Sequence, residues 1–433
     1  MKINVRKLPY EEVLKLPRLQ HKPPRKPSRL LAAVVRLACI PTLWKTKFTY
    51  TTEGMESVGD RPCLILMNHC SFTDMKLAFG IFYPRPMGIV TSVDAMSGFL
   101  GKLMRILGCT PTHKYVTDLT LIRDIKHMLH TNRTSVLMYP EAGYSFDGRA
   151  TTLPRKMGAL MKRLGVPVVT VITQGAFARD PLYNMLQLRK VKVSAHVKCL
   201  ATPEELKAKS VEELDALLDE AFSFDNFAWQ RDNRVSIDVP YRADGLHRIL
   251  YKCPHCGAET GMEGKGVQLT CHACGKVWQM DPFGQLAALT GDTEFTHIPD
   301  WYSWQRDCVR RELEEGTYRL DTEVDIAIQV NLDGVCMIGP GRLVHDRDGF
   351  RLTGADGALD YRQSASSSHT LYSDYYWYEI GDVIGIGDNE FSYFCFPPAH
   401  ISVSKARLAT EELYKLRRAE KRRRVIETMA SIT

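Results

Sequence analysis

Short apolar runs alternate with helical patterns through the first half of the chain. Cys63 to Met67 is wholly apolar, is too short for a helix and gives way to polar residues, so it reads as a buried strand. Ser135 to Met138 and Gly165 to Val171 read the same way. Between them, helical periodicity covers Asp118 to His130 and Leu153 to Leu164. This alternation predicts an α/β domain in which helices flank a mixed or parallel sheet. Thr202-Pro203-Glu204-Glu205 has the form of a capping box with proline in the first turn, so it marks a further helix. The domain is expected to span residues 31–240, after a basic segment at 1–30.

The second half changes character. From Asp300 to Val403, Gly-Asp turns punctuate strand-like runs such as Asp325 to Val330, Tyr372 to Ile380 and Phe391 to Phe396. A helix-like tail, Ala409 to Thr428, follows. The region 283–433 therefore reads as a β-rich domain with a C-terminal basic helix, and its order of strands then helix is similar to a pleckstrin-homology or related lipid-binding barrel. The Tyr375-Tyr376-Trp377-Tyr378 cluster reads as strand packing. Arg417-Arg418 and Lys421 to Arg424 read as a solvated helix face.

Between the halves, at residues 248–282, stand Cys253-Pro254-His255-Cys256 and Cys271-His272-Ala273-Cys274, two C-x-x-C pairs separated by fourteen residues. Each pair forms a tight knuckle presenting two thiolates, with Gly257 and Gly275 letting the backbone turn just beyond it. Cys253, Cys256, Cys271 and Cys274 thus predict a zinc ribbon. Four thiolates leave no open position, so the zinc is structural, with iron the lesser alternative. His255 and His272 are expected outside the ligand set. Lys265 and Lys276 are the few basic residues near the knuckles, too few for a phosphate-tracking patch, so a nucleic-acid partner is not expected.

Asn68-His69-Cys70-Ser71-Phe72-Thr73-Asp74 follows the first apolar run directly, and Tyr139-Pro140-Glu141-Ala142-Gly143-Tyr144-Ser145 follows the second. Two polar loops after two buried strands predict one shared cleft at the strands' carboxyl ends. In order and separation these segments resemble the glycerolipid acyltransferase family, whose lysophosphatidic acid acyltransferases carry an N-H-x-x-x-x-D block and then F-P-E-G-T-R-S. The resemblance covers roughly Leu31 to Leu200. Asn68, His69 and Asp74 fit the first block, and Pro140, Glu141 and Ser145 fit the second. Tyr139 replaces the family's phenylalanine, Ala142 its glycine, Gly143 its threonine and Tyr144 its arginine.

The resemblance implies an O-acyltransferase of phospholipid biosynthesis. His69 and Asp74 would be catalytic, and Asn68, Lys114, Glu141 and Arg149 would contact substrate. Lys114 closes Leu107 to Lys114, the segment standing where the family has a block ending in a phosphate-binding arginine. The implied acceptor is a lysophospholipid. Tyr144 offers one hydroxyl where a phosphate wants a cationic fork, which keeps open an acceptor without phosphate, or a non-catalytic adaptor on the same fold.

The chemistry follows from the residues as well. A histidine near neutral pKa accepts an alcohol's proton as the alcohol attacks a thioester carbonyl, while an adjacent carboxylate holds the ring's tautomer. The donor would be acyl-coenzyme A or an acyl-carrier protein. Such a donor is already activated, so no acyl-enzyme on Cys70 is required, and neighbours in one loop rarely face each other as a nucleophilic pair needs.

A chain of 433 residues at 44% hydrophobic content requires several cores. Of its 12 cysteines, eight lie scattered outside the ribbon, a usage that fits a reducing compartment rather than a disulfide framework. The amino terminus lacks a signal-peptide pattern, and no apolar run approaches the length of a membrane span. His21 to Arg29 is basic and precedes the mostly apolar stretch Leu30 to Trp44, an arrangement suited either to an interfacial anchor or to a helix packed on its own domain. With a net charge of +7, the expectation is a cytoplasmic protein, peripheral on the inner face of a membrane.

Overall fold

The computed structural model describes residues 2–114 and 118–430. The chain opens with a short strand β1 (Val5–Lys7), a helix α1 (Tyr10–Lys15) and a longer helix α2 (Arg29–Lys45), whose start is capped by Ser28 Oγ accepting from the Leu31 N–H.

The α/β domain follows as β2 (Thr49–Glu53), β3 (Leu64–Met67), α3 (Asp74–Phe82), β4 (Met87–Ser92), α4 (Gly98–Ile106), β5 (Cys109–Thr112) and α5 (Leu119–Lys126). It continues through β6 (Ser135–Met138), α6 (Met157–Leu164), β7 (Val168–Gln174), α7 (Ala176–Arg179) and β8 (Ser194–Ala201). Three helices close it, α8 (Pro203–Ala208), α9 (Val211–Ala221) and α10 (Asn226–Asp232). The strands form one sheet in the order β2-β8-β7-β3-β6-β4-β5, parallel throughout except for the antiparallel pair β7–β8. This is the α/β architecture the alternating pattern predicts.

Central strand β3 shows why its residues are all apolar. Ile65 and Met67 enter the core under α2 and α3, while Leu64 and Leu66 enter the core under α6 and α9. Both faces of the sheet are covered, so no polar position is tolerated. The expected strand from Gly165 begins instead at Val168, because Gly165 ends α6 in a left-handed conformation (φ 62°) and Pro167 has no N–H to give a ladder. The capping box at Thr202 is present in full.

The cysteine-rich segment folds as a four-stranded antiparallel sheet, β9 (Met262–Lys265), β10 (Gln268–Cys271), β11 (Val277–Met280) and β12 (Leu286–Ala288). Then come a helix, α11 (Ile298–Glu315), and seven strands: β13 (Leu320–Gln329), β14 (Val335–Asp346), β15 (Gly349–Gly354), β16 (Leu359–Ser364), β17 (Tyr372–Trp377), β18 (Gly381–Gly387) and β19 (Ser392–Phe396). The last helix is α12 (Val403–Ala430). The seven strands run β16-β15-β14-β13-β19-β18-β17, and β1 joins β14 in parallel, so residues 5–7 belong to the C-terminal sheet rather than standing apart.

Two features depart from the sequence expectation. Helix α11 lies where strands were expected to begin, and its start and stop signals are Pro299 in the first turn and Gly316 (φ 73°) just past the end. Helix α12 starts earlier than Ala409, because Val403, Ala406 and Leu408 bury against the rest of the molecule.

The parts share one core. Phe146 of the α/β domain, Trp278 of the cysteine-rich sheet, Trp301 of α11, Ile326 of β13 and Leu408 of α12 belong to a single buried apolar cluster. A charge cluster reinforces it. Glu411, 1% exposed, accepts from Arg306 (2.7 Å), Arg407 (3.3 Å) and Thr370 Oγ1 (2.8 Å). The two guanidinium groups hold its carboxyl down at about 2 against the opposing effect of burial.

Candidate active site

β3 ends at Met67, and the polar loop 68–73 turns over the sheet's carboxyl edge into α3. Asp74, in the first turn of α3, folds this loop back on itself. Its Oδ2 accepts from His69 Nδ1 (2.9 Å), the Cys70 N–H (2.8 Å) and the Ser71 N–H (3.0 Å). With Nδ1 spent on Asp74, the imidazole keeps Nε2 for a substrate. The neighbouring strand β6 delivers the second loop, and Glu141 fastens the two together. Its Oε2 accepts from the His69 N–H (2.8 Å) and its Oε1 from the Thr151 N–H (2.9 Å), while the Ser145 N–H donates to the His69 carbonyl (2.9 Å).

The imidazole lies between two aromatic rings, Tyr139 at 4.1 Å between centroids and Tyr144 at 3.9 Å. Phe72 stacks beyond Tyr144 at 4.9 Å. The faces of the ring are covered, and the His69 side chain keeps 17% exposure. Burial, together with the charge of Lys114, holds the imidazole well below its usual pKa and therefore neutral at pH 7. Burial pushes Asp74 and Glu141 up to about 7, against the pull of their backbone N–H donors. Such an arrangement can take a proton at Nε2 and stabilise the resulting imidazolium through Asp74.

Of the candidate substrate-binding residues, Asn68 and Glu141 lie beside His69 and are tied into the fold. Asn68 Oδ1 accepts from the Thr173 N–H and hydroxyl, and its Nδ2 donates to the Thr173 carbonyl and Cys70 Sγ, so every polar site is filled. It ties β3 to β7. Lys114 reaches the His69 neighbourhood, with Nζ 4.3 Å over the ring of Tyr372. Arg149 does not join them: its guanidinium pairs with Asp225 (2.8 Å) and Asp300 (2.8 Å) and donates to Ser303 Oγ (3.2 Å). Cys70 is buried between Asn68 and Asn226, and burial with the charges of Glu141 and Asp74 raises its thiol far above the reactive range.

Tyr372, Asp374, Tyr378 and Arg407 of the C-terminal part also reach this edge. Of these, only Tyr378 belonged to the tyrosine cluster read from the sequence, whose Tyr375 and Trp377 do pack inward as expected, at 3% and 2% exposure. Tyr378 instead donates to Asp94 Oδ2 (3.1 Å).

The four ribbon cysteines gather with all sulfur atoms within 4.8 Å of one another. Cys253 and Cys274 are 3.9 Å apart and Cys256 and Cys271 3.8 Å, matching the ~3.8 Å edge of a tetrahedron with metal–sulfur bonds of about 2.3 Å. Both knuckles close alike, with the Gly257 N–H donating to the Cys253 carbonyl and the Gly275 N–H to that of Cys271. His255 pairs with Glu294 and His272 with Glu263, outside the cluster. The donor set suits a tetrahedral thiolate-bound ion.

A largely parallel sheet thus carries a histidine–carboxylate pair at the end of its central strand, locked to a second loop from the adjacent strand. The Acyltransferase family model matches residues 49–174, and this part of the chain is an acyltransferase-family domain. Among solved structures, the 1-acyl-sn-glycerophosphate (LPA) acyltransferase PlsC from Thermotoga maritima is similar to 44% of this chain and 76% of its own, with 18% identity and a TM-score of 0.36. No curated protein matches the chain.

The raised carboxyls carry a stability consequence. Asp74 binds its proton more tightly folded (about 7) than unfolded (about 4), so between these values the native state holds more protons and stability falls as pH rises. Asp74→Asn removes that penalty. Its melting temperature is expected to exceed the parent's by more at pH 8 than at pH 5; a variant that melts below the parent at pH 8 would show that the carboxylate is stabilised in place.

Proposed function

We propose that this chain is an O-acyltransferase that moves an acyl group from acyl-coenzyme A or an acyl-carrier-protein thioester to a hydroxyl of a lipid-type acceptor, with His69 as general base. The 2.9 Å pairing of His69 Nδ1 with Asp74 at the end of the central strand carries this reading. The acceptor's O–H proton passes to Nε2 as its oxygen bonds to the thioester carbonyl carbon. The carbon–sulfur bond then breaks, and the proton is returned to the leaving thiolate. Asp74 holds the tautomer, while Asn68 and Glu141 position the loops. The N–H groups of Cys70 and Ser71 are spent on Asp74 and that of Ala142 on the Tyr139 carbonyl, while those of Gly143 and Tyr144, which have no partner among the described residues, would serve the developing oxyanion. An adaptor built on the same fold would have no need of an aligned base.

For the acceptor, the resemblance brings a lysophospholipid. An acceptor without phosphate is favoured by two observations: Tyr144 presents a ring where the family has arginine, and Arg149 is occupied by Asp225 and Asp300.

The acceptor's setting is proposed to be a membrane surface. Leu30, Val34, Leu37, Ile40 and Trp44 line the outer face of α2, with Leu30 and Trp44 each 78% exposed, while Leu31, Val35, Cys39 and Leu43 pack on the domain. Phe99 of α4 adds a further exposed ring, and Arg29 and Lys45 supply cations for anionic head groups. Among the described residues no helix is long and apolar enough to cross a membrane. The cysteine cluster is proposed to hold one structural zinc, which would fold the ribbon and take no part in the chemistry.

His69→Ala is expected to lower kcat for transfer from a labelled acyl-thioester by about 10²–10⁴-fold, the usual contribution of a positioned base. Activity that survives the substitution would sink the mechanism. Flotation with vesicles should show binding to anionic vesicles that weakens with salt and is lost in Leu37→Glu/Trp44→Glu; binding unchanged in that double variant would move the contact elsewhere. Metal analysis should find one zinc per chain. Its removal by a chelator should expose four rapidly titrating thiols, whereas a metal-free protein with its ribbon intact would refute the zinc assignment.

A further inference from the structure

The mouth of the His69 site is built by two parts of the chain. From the acyltransferase domain come Lys114 and Asp94, which is 6% exposed in the turn after β4. From the C-terminal sheet come Tyr372 and Asp374 on β17 and Tyr378 in the turn beyond it. The hydroxyls of Tyr372 and Tyr378 both donate to Asp94 Oδ2, at 3.0 and 3.1 Å, and the Lys114 ammonium lies on the Tyr372 ring. The turn after β17 is irregular. A bulge separates Asp374 from Trp377, and Tyr376, Tyr378 and Glu379 adopt left-handed backbone angles (φ 55°, 47° and 68°), a costly conformation that persists only when its surroundings enforce it. On the other side of the mouth, the Arg407 guanidinium donates to the Tyr144 carbonyl at 3.0 Å.

We propose that the C-terminal β-domain completes the acceptor site, and that the acceptor presents an uncharged polyhydroxyl headgroup, a glycerol or a sugar, rather than a phosphate. The inference rests on the acyl-transfer reading. Its ground is the balance of charge beside His69. Lys114 is the cation that reaches the imidazole, and Asp94 and Asp374 both act on it. Arg407 at this edge is spent on the Tyr144 carbonyl and Glu411, and Arg179 is paired with Asp180, the partner of Ser71.

A dianionic phosphate placed here would meet the Asp94 carboxylate, Asp374, which ionises near neutral pH, and one ammonium, with no free guanidinium fork to grip it. That is selection by repulsion as much as by attraction. Hydroxyl groups face the opposite situation. The carboxylates accept from them and the Lys114 ammonium donates to them. Burial pushes Asp374 up to about 7, so near neutral pH it is available both as acceptor and, when protonated, as donor.

The test compares kcat/KM for labelled acyl transfer to a monoacylglycerol, a monoacylated glycosyl-glycerol and lysophosphatidate, in the parent and in Asp374→Lys and Asp374→Asn. The parent should favour one of the uncharged acceptors over lysophosphatidate at least tenfold, and the better of the two tells glycerol from sugar. Asp374→Lys should reverse that ratio by tenfold or more, mainly through KM, with Asp374→Asn between them. Asp94→Asn, which keeps an oxygen for the tyrosine hydroxyls, serves in its place if the lysine variant does not fold. A parent that prefers lysophosphatidate, or a ratio that none of these substitutions moves, overturns the inference while leaving acyl transfer standing. If no acceptor turns over, the acyl-transfer reading falls. Saturation-transfer NMR of the His69→Ala protein with galactosyl-glycerol against glycerol 3-phosphate then reads the headgroup preference by itself, and preference for the phosphate refutes it.

Discussion

Glu141 is fully buried, and each of its oxygens is spent on a backbone N–H from a different loop, His69 on one side and Thr151 on the other. A carboxylate in such a place is tolerated only while those donors stay in position, because an unpaired buried charge costs several kcal/mol. The relative placement of the two loops is thereby fixed, and with it the two tyrosines that cover the faces of the His69 ring. Asp74 repeats the device within one loop, gathering two N–H groups and the imidazole on a single oxygen. The site is thus a pair of turns, each wound around a buried carboxylate.

The second loop is also held from far along the chain. Glu259, between the two cysteine knuckles, accepts from Lys405 (2.7 Å) in the first turn of α12, and Lys405 also pairs with Glu312 of α11 (2.8 Å). Less than a helical turn later Arg407 reaches the Tyr144 carbonyl and lies over the Phe146 ring at 4.2 Å. The cysteine-rich sheet therefore anchors the start of the helix that grips the active-site loop. The four-cysteine cluster thus lies in the segment that supports the start of this helix.

Much of this was legible in the sequence, and the limits have physical causes. Strands β3 and β6 announce themselves because both faces of the sheet are covered, which forces uninterrupted apolar runs. The knuckle spacing of the cysteines is local chemistry and is equally readable. His69 and Asp74 were legible because they stand only five positions apart. The roles of Asn68 and Glu141 were not, since a motif names a residue without saying that the fold uses it to hold Thr173 or Thr151 in place. Arg149 was misplaced for a similar reason: its partners Asp225 and Asp300 are 76 and 151 positions away. Helix α11 escaped because Gly-Asp turns downstream set a strand reading that its Pro299 and Gly316 signals did not outweigh. The approach of Tyr378 to Asp94, across 284 positions, has no local trace at all.

The carboxyls around the imidazole show what these long-range contacts accomplish. Asp74, Glu141, Asp180 and Asp374 are each pushed up to about 7, with burial the largest cause in every case. A chain selected for stability alone would not collect four such groups in one place. The same loss of water that strains them keeps His69 neutral, which is the form a base must have before it can accept a proton. It also makes each fixed dipole near the reacting atoms count for more than it would in water. The apolar cluster shared by the three parts of the chain, with Glu411 clamped between Arg306 and Arg407, supplies the stability that offsets this cost. Tyr139 and Tyr144 of the N-terminal half cover the His69 ring, and Arg407 of the C-terminal half holds the Tyr144 loop in that place.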